Sequence, residues 1–136
     1  MGLSMMIPVV RYRDCTAALR FLTQVFGFAA GVSFRDEAGN IIHAELWAGD
    51  GAIMIGPVKE TPFSGVMRQP NEAGGVTASL YVVTDDPDAD HARAVDAGFE
   101  IVLPLRDEPY GSREFSVRDP EGQVWTFGTY RPAPTG

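Results

Sequence analysis

Cysteine is nearly absent from this chain of 136 residues: Cys15 stands alone, so no intramolecular disulfide can form. Histidine is scarce too, with only His43 and His91, which leaves few imidazoles for a metal or a proton relay. Basic residues are in deficit, eleven Lys and Arg against eighteen Asp and Glu, a formal charge of −7. A chain of that sign repels phosphate backbones and anionic lipid, which argues against nucleic-acid and membrane partners. No apolar run approaches the roughly 18 residues that span a bilayer. The first seven residues lack the basic start and apolar core of a secretory signal, and Met6 stands where N-myristoylation wants Ser or Thr. With one thiol and no such signal, a reducing cytoplasm is the expected home. What remains is ordinary globular composition, 45% hydrophobic and 21% charged, enough to bury a core without staples.

The punctuation of the chain divides it into two similar runs. Met6 to Tyr12 is apolar and β-branched, a strand. Asp14 or Thr16 can cap a helix whose Ala18, Phe21, Leu22, Val25 and Phe26 fall at helical spacing, and Gly27 suits its left-handed end. Gly31 to Arg35 and Ile41 to Trp47 read as strands, and Ala48-Gly-Asp-Gly51 as a hairpin turn into Ala52 to Gly56. Pro57 to Gly75, rich in Pro and Gly, reads as a long connecting loop. Its apolar Phe63, Val66 and Met67 suit a loop that lies over a cleft or a partner.

The order then restarts. Ala78 to Val83 is a strand, Asp85-Asp-Pro87 starts a helix that Gly98 ends, Glu100 to Leu103 is a strand and Arg106 to Gly111 a loop. Glu114 to Val117 and Val124 to Thr129 flank the turn Asp119-Pro-Glu-Gly122. Asp14 and Asp85, Gly27 and Gly98, and Gly51 and Gly122 share one offset of 71, which points to an internal duplication. The expected class is α+β: a single domain of tandem β-α-β-β-β modules, about 6–57 and about 77–130, joined by loop 58–76, forming a curved mixed sheet around a cleft.

These residues resemble the vicinal oxygen chelate superfamily of glyoxalases, extradiol dioxygenases, fosfomycin-resistance enzymes and bleomycin-resistance proteins. The resemblance rests on Arg11-Tyr-Arg-Asp14, Ala18-Leu-Arg-Phe21, Phe26-Gly-Phe28, Ala97-Gly98 and Ser116-Val-Arg-Asp-Pro-Glu-Gly122 before Trp125-Thr-Phe127. His43-Ala-Glu-Leu46 and Pro109-Tyr-Gly-Ser-Arg-Glu-Phe115 are similar to its bleomycin-resistance-like and glyoxalase-like members. The resemblance implies four metal-ligand positions, on the first and last strand of each module. Carried over, they fall on Ile7, Ile55, Ser79 and Thr126, none of which is a carboxylate or imidazole. A metal-free site is therefore expected, with no cofactor.

Strand alternation puts His43, Glu45 and Trp47 on one face of Ile41 to Trp47 and Ile42, Ala44 and Leu46 on the other, toward the helix. The first set reads as base, acid and stacking surface, or as the wet face of a half-exposed strand. Arg11 and Tyr81 share parity with Ile7 and Ser79. The candidate ligand-contacting set is Arg11, His43, Glu45, Trp47, Ile55, Phe63, Ser79, Tyr81, Tyr110 and Thr126. Phe34 is a further candidate for the wall, and Trp125 and Phe127 are assigned to the core. Cys15 reads as structural and His91 as part of a solvated helix face. The expected function is a metal-free protein that holds a small, largely aromatic or hydrophobic molecule, as in antibiotic sequestration, and works as a homodimer, which the resemblance implies. The alternative is a lyase, isomerase or transferase in which His43 and Glu45 act as acid and base; a third is a vestigial cleft.

Overall fold

The computed structural model describes residues 4–135. The chain divides into two compact units, residues 1–69 and 70–136, and each repeats one architecture. In the first, β1 (Val9–Tyr12) leads to α1 (Cys15–Gln24), then β2 (Ala29–Arg35), β3 (Ile41–Ala48) and β4 (Gly51–Pro57). They form a four-stranded mixed sheet in the order β1-β4-β3-β2, with β1 parallel to β4 and the other pairs antiparallel. In the second, β5 (Leu80–Val83), α3 (Pro87–Asp96), β6 (Glu100–Asp107), β7 (Arg113–Arg118) and β8 (Val124–Gly128) repeat it as β5-β8-β7-β6. The stretch read as a structureless loop holds a 3₁₀ turn (Pro62–Gly65) and a single helical turn, α2 (Pro70–Ala73). The side chain of Thr61 accepts from the Phe63 amide, and its own amide donates to Ser64 Oγ at 2.8 Å, closing that 3₁₀ turn.

The two ten-residue helices, α1 and α3, each start on an aspartate. The Ala17 amide donates to Asp14 Oδ1 at 2.9 Å, and the Ala89 amide to Asp86 Oδ1 at 3.1 Å, with Pro87 at the first helical position. The second cap is thus Asp86, not Asp85, and the two caps lie 72 apart. Gly27 and Gly98, at φ 79° and 80°, take the left-handed conformation that ends each helix. One side of each sheet packs on its helix. In the first unit Tyr12, Ala18, Phe21, Leu22, Phe26, Phe28, Ala44, Leu46, Ile53 and Ile55 are buried, and Tyr12, Phe21, Phe26 and Phe28 run edge to face at 5.7–6.0 Å. In the second the core is Ala94, Phe115, Val117, Trp125 and Phe127; the Phe115 and Phe127 rings stack at 5.5 Å. His91, read as solvated, is half-buried and sets its ring edge-on to Phe115 at 5.1 Å.

Several strand boundaries and faces depart from alternation for identifiable reasons. Ile41 is buried and Ile42 exposed, because a register shift between the Phe34 and Arg35 pairs inserts an extra residue at Ile42. β6 runs through Pro104 to Asp107, past the expected strand Glu100 to Leu103 and into the expected loop Arg106 to Gly111. It is an edge strand with irregular register between Leu103 and Arg106, where a missing N–H costs nothing. The repeat offset is not uniform. Ala44 pairs with Ile55 and Phe115 with Phe127, so β3 matches β7 at 71 while β4 matches β8 at 72. The three-residue turn Pro120–Gly122 supplies the extra residue relative to Gly49-Asp50.

Candidate functional site

Opposite its helix, the first sheet presents an open face. β3 contributes His43, Glu45 and Trp47; their intervening Ala44 and Leu46 are buried. Cross-strand register adds Met54 opposite Glu45, Val9 opposite Met54, and Phe34 opposite His43. His43 Nε2 and Glu45 Oε2 lie 3.0 Å apart, with each side chain about one-third exposed (34% and 35%). Two residues apart on one strand, their side chains are neighbours because alternation returns to the same face. The Phe34 ring sits 5.9 Å from the imidazole, tilted by 37°. Trp47 is 42% exposed. Its indole runs over Gly31, where a Cβ would fall 3.1 Å from Nε1, so a residue without a side chain at that point lets the ring lie against the neighbouring strand.

Arg11 shares this face, but its guanidinium is engaged locally. Nη2 donates to the Lys59 carbonyl at 2.7 Å, and Gln69 donates to the Arg11 carbonyl at 2.9 Å. The reading of Ile55 as a contact residue is corrected. Its side chain is fully buried on the helix side with Ala44, Leu46 and Ile53. With β4 matching β8 at 72, the residue equivalent to Thr126 is Met54, and Met54 holds the open-face position. Phe63 is exposed on the 3₁₀ turn, and Ser79 is exposed just before β5.

The second sheet has the equivalent open face. Thr126 lies between Tyr81 and Ser116 in register, and its hydroxyl and that of Ser116 are 2.6 Å apart. Next along β7 is Glu114, only 5% exposed, which belongs to the Pro109–Phe115 motif but not to the candidate ligand-contacting set. Its carboxylate accepts from the Tyr110 hydroxyl at 2.6 Å, Ser112 Oγ at 2.8 Å and Arg106 Nη2 at 3.3 Å. Glu114 pairs with Gly128, where a Cβ would lie 2.5 Å from the Tyr81 hydroxyl and 3.0 Å from Glu114 Oε2. The Tyr81 hydroxyl donates to the Tyr130 carbonyl at 2.9 Å, and the Tyr110 and Tyr130 rings meet at 89°. The Tyr110 phenol is pushed up to about 12, first by its hydrogen bond to Glu114, then by burial and the charges of Glu114 and Glu108. One signal could have found Glu114: it lies 71 residues after His43, so the two occupy equivalent positions in the duplicated units.

A profile of the Glyoxalase/Bleomycin resistance protein/Dioxygenase superfamily matches residues 6–127. The chain belongs to this superfamily. Among solved structures it is similar to TioX from Micromonospora sp. ML1, 34% identical with a TM-score of 0.73, covering 94% of this chain and 99% of that one. An integron cassette protein, VCH_CASS1 from the mobile metagenome of V. cholerae, is 26% identical with a TM-score of 0.66, covering 96% and 98%. The fosfomycin resistance protein FosX from Mesorhizobium loti, 15% identical with a TM-score of 0.65 over 96% and 95%, shares the fold. An uncharacterized protein of Mycobacterium tuberculosis H37Rv, Rv0887c, is 28% identical over 115 residues, 85% of this chain and 68% of its own length.

The superfamily resemblance implies a divalent metal in its enzymes. The positions that would hold it carry Ile7, Met54, Ser79 and Thr126. A thioether, two hydroxyls and an alkyl chain are a poor donor set for a divalent cation. Among the described residues no three of His, Cys, Asp and Glu come together as a metal site. Nor is any helix among them long and apolar enough to cross a membrane.

Proposed function

We propose that this chain binds a small, largely aromatic or hydrophobic molecule by stacking and apolar burial, without a metal, and that sequestration of an antibiotic-like compound is its role. The observation that carries this reading is the open face of the first sheet. There Trp47, Phe34 and Val9 are exposed beside the His43–Glu45 pair, a large apolar lining with few polar groups to fix orientation. The unsuitable donors at the four metal positions support it. A fosfomycin resistance protein is among the proteins that share the fold, which makes a resistance role a natural one to test. The chain works in the cytoplasm as a homodimer in this reading, since contiguous apolar surface of this kind calls for a ligand or a partner.

Isothermal titration with a panel of planar aromatic natural products tests the proposal. Stacking on a ring contributes about 0.5–1.5 kcal/mol beyond area burial, whereas one neutral hydrogen bond nets about 0.5–1.5 kcal/mol that water can partly replace. Trp47→Ala, which also removes the apolar area at about 25 cal/mol per Å², weakens binding about tenfold or more, and His43→Ala weakens it less. Elemental analysis of protein purified without chelator should find no stoichiometric divalent metal. The His43–Glu45 contact favours a second reading, acid–base catalysis by a carboxylate-oriented imidazole. If His43→Ala abolishes a turnover while leaving affinity intact, that reading replaces the first.

A further inference from the structure

The two units differ sharply in charge. Residues 1–69 carry six acidic and six basic side chains, whereas residues 70–136 carry twelve Asp and Glu against five Arg. The whole formal charge of −7 therefore belongs to the second unit. On that unit three tyrosines converge around one buried carboxylate. The Tyr110 hydroxyl binds Glu114 directly, the Tyr81 hydroxyl and Glu114 Oε2 lie 2.5 Å and 3.0 Å from where a Cβ on Gly128 would stand, and Tyr130 is fixed by Tyr81 through its carbonyl and by Ser112 through its amide. Their rings remain open: Tyr81, Tyr110 and Tyr130 are 41%, 59% and 48% exposed. The guanidinium of Arg106 does not neutralise the spot. It is shared between Glu108 and Glu114, two carboxylates to one cation. Arg113 nearby is likewise shared between Asp88 and Asp107.

We propose that the tyrosine cluster on the open face of the second sheet binds an organic cation, a flat aromatic ring system carrying a fixed positive charge. This rests on the reading of the chain as a binder of small aromatic molecules and adds to the face of the first sheet a second, charge-selective seat. The physical basis is twofold. Tyrosine faces attract cations through the ring quadrupole, and two rings at 89° offer a face and an adjoining wall. The surplus negative charge beneath and around them adds a longer-ranged attraction that a neutral or anionic ring does not feel. Glu114 serves as a positioning residue, because its acceptors hold the Tyr110 hydroxyl and the loop through Ser112. The raised phenol of Tyr110 agrees with a negative local potential, since the carboxylates that favour a bound cation also oppose formation of a phenolate.

The test uses a matched set of probes on the full chain at pH 8: N-methylacridinium, neutral acridine and acridine-9-carboxylate, titrated by fluorescence and calorimetry. The cation should bind about tenfold more tightly than acridine, and the carboxylate more weakly than both. That advantage should shrink as ionic strength rises from about 0.01 M, where the Debye length is about 30 Å, to about 1 M, where it is about 3 Å. Tyr110→Leu and Tyr81→Leu should each reduce the cation's advantage several-fold. Tyr110→Phe keeps the ring and should retain most of the affinity while loosening the loop. Far-ultraviolet circular dichroism checks that each variant is folded. Equal affinity for acridine and its methylated cation would overturn the charge assignment and leave aromatic binding standing. A cation advantage that survives both Leu variants would overturn the seat, and failure of all three probes would count against both readings.

Discussion

Replacing Asp119 by Ala should be among the most damaging single changes in the second unit. The residue is buried, and its carboxylate collects three donors: the Glu121 amide at 2.9 Å and the Gln123 amide at 3.1 Å on Oδ1, and the Trp125 indole N–H at 3.0 Å on Oδ2. The first two shape the three-residue turn that sets the register of β7 on β8. The third ties that turn to a tryptophan that is itself buried in the core. Alanine leaves the indole N–H without its partner in a dry site, at about 1–3 kcal/mol, while water can replace part of what the turn amides lose, at about 1 kcal/mol each. The total is about 3–5 kcal/mol against a typical whole-domain stability of about 5–15 kcal/mol. For a chain of this length that is a fall of about 10–17 °C in Tm. Asp119→Asn keeps one acceptor oxygen for the turn and should lose about half as much. Differential scanning calorimetry measures both, and tryptophan emission reports Trp125 directly by moving to longer wavelength in the Ala variant. A Tm change under about 3 °C for Asp119→Ala, with unchanged emission, would refute the assignment of this carboxylate as the anchor of the hairpin.

Four further outcomes are expected. Phe115→Ala removes a fully buried ring stacked on Phe127 and should cost about 3–5 kcal/mol by chemical denaturation. Tyrosinate absorbance, read against Tyr110→Phe, should show one phenol ionising near pH 12 rather than 10. Because the folded value is raised, the stabilising contribution of Tyr110 is intact below about pH 10 and disappears as pH climbs toward 12. Glu114→Gln should bring that titration down. At the acid end, the hydrogen bond to Arg113 lowers the folded pKa of Asp88, so its contribution is present at neutral pH and is lost as pH falls through that lowered value. Light scattering of the purified protein should give about twice the 14.7 kDa chain mass, and a monomer at tens of micromolar would remove the homodimer from the proposed function.

Much of the fold is legible because its signals are local. The Ala18, Phe21, Leu22 stripe, the capping aspartates and the two hairpin turns each sit within a few residues of the structure they cause. The misplacements share a different origin, which is that sheet register is not local. Ile42 reads as a core residue by alternation, but one inserted residue on β3 turns it outward and brings Ile41 in. The strand Glu100 to Leu103 reads too short because the sequence does not announce that β6 is an edge that can run on through Pro104. Ile55 is placed on the wrong face because a single added residue in the second turn changes the offset between the halves from 71 to 72. Glu114 is missed for a chemical reason: a carboxylate between Arg113 and Phe115 resembles a solvated charge until its three donors, from Arg106, Tyr110 and Ser112, are in view.

The corrected equivalence separates what the duplication must keep from what it is free to change. On the helix side, Ala44, Leu46, Ile53 and Ile55 correspond to Phe115, Val117, Trp125 and Phe127. All eight are apolar and buried, because any polar group there would lose water without gaining a partner. On the open side, His43, Glu45, Met54 and Val9 correspond to Glu114, Ser116, Thr126 and Tyr81. No pair on that list retains its chemistry. One position holds a half-exposed imidazole in the first unit and a buried carboxylate in the second; another holds a thioether against a hydroxyl. Core packing explains the first set without reference to any ligand. It does not explain the second, since a merely solvated face would tolerate divergence without building a His43–Glu45 pair on one sheet and a carboxylate with three donors on the other. The open faces are thus where selection for a ligand would leave its mark. The two faces also differ in the charge of the unit that carries them, neutral in the first and −7 in the second.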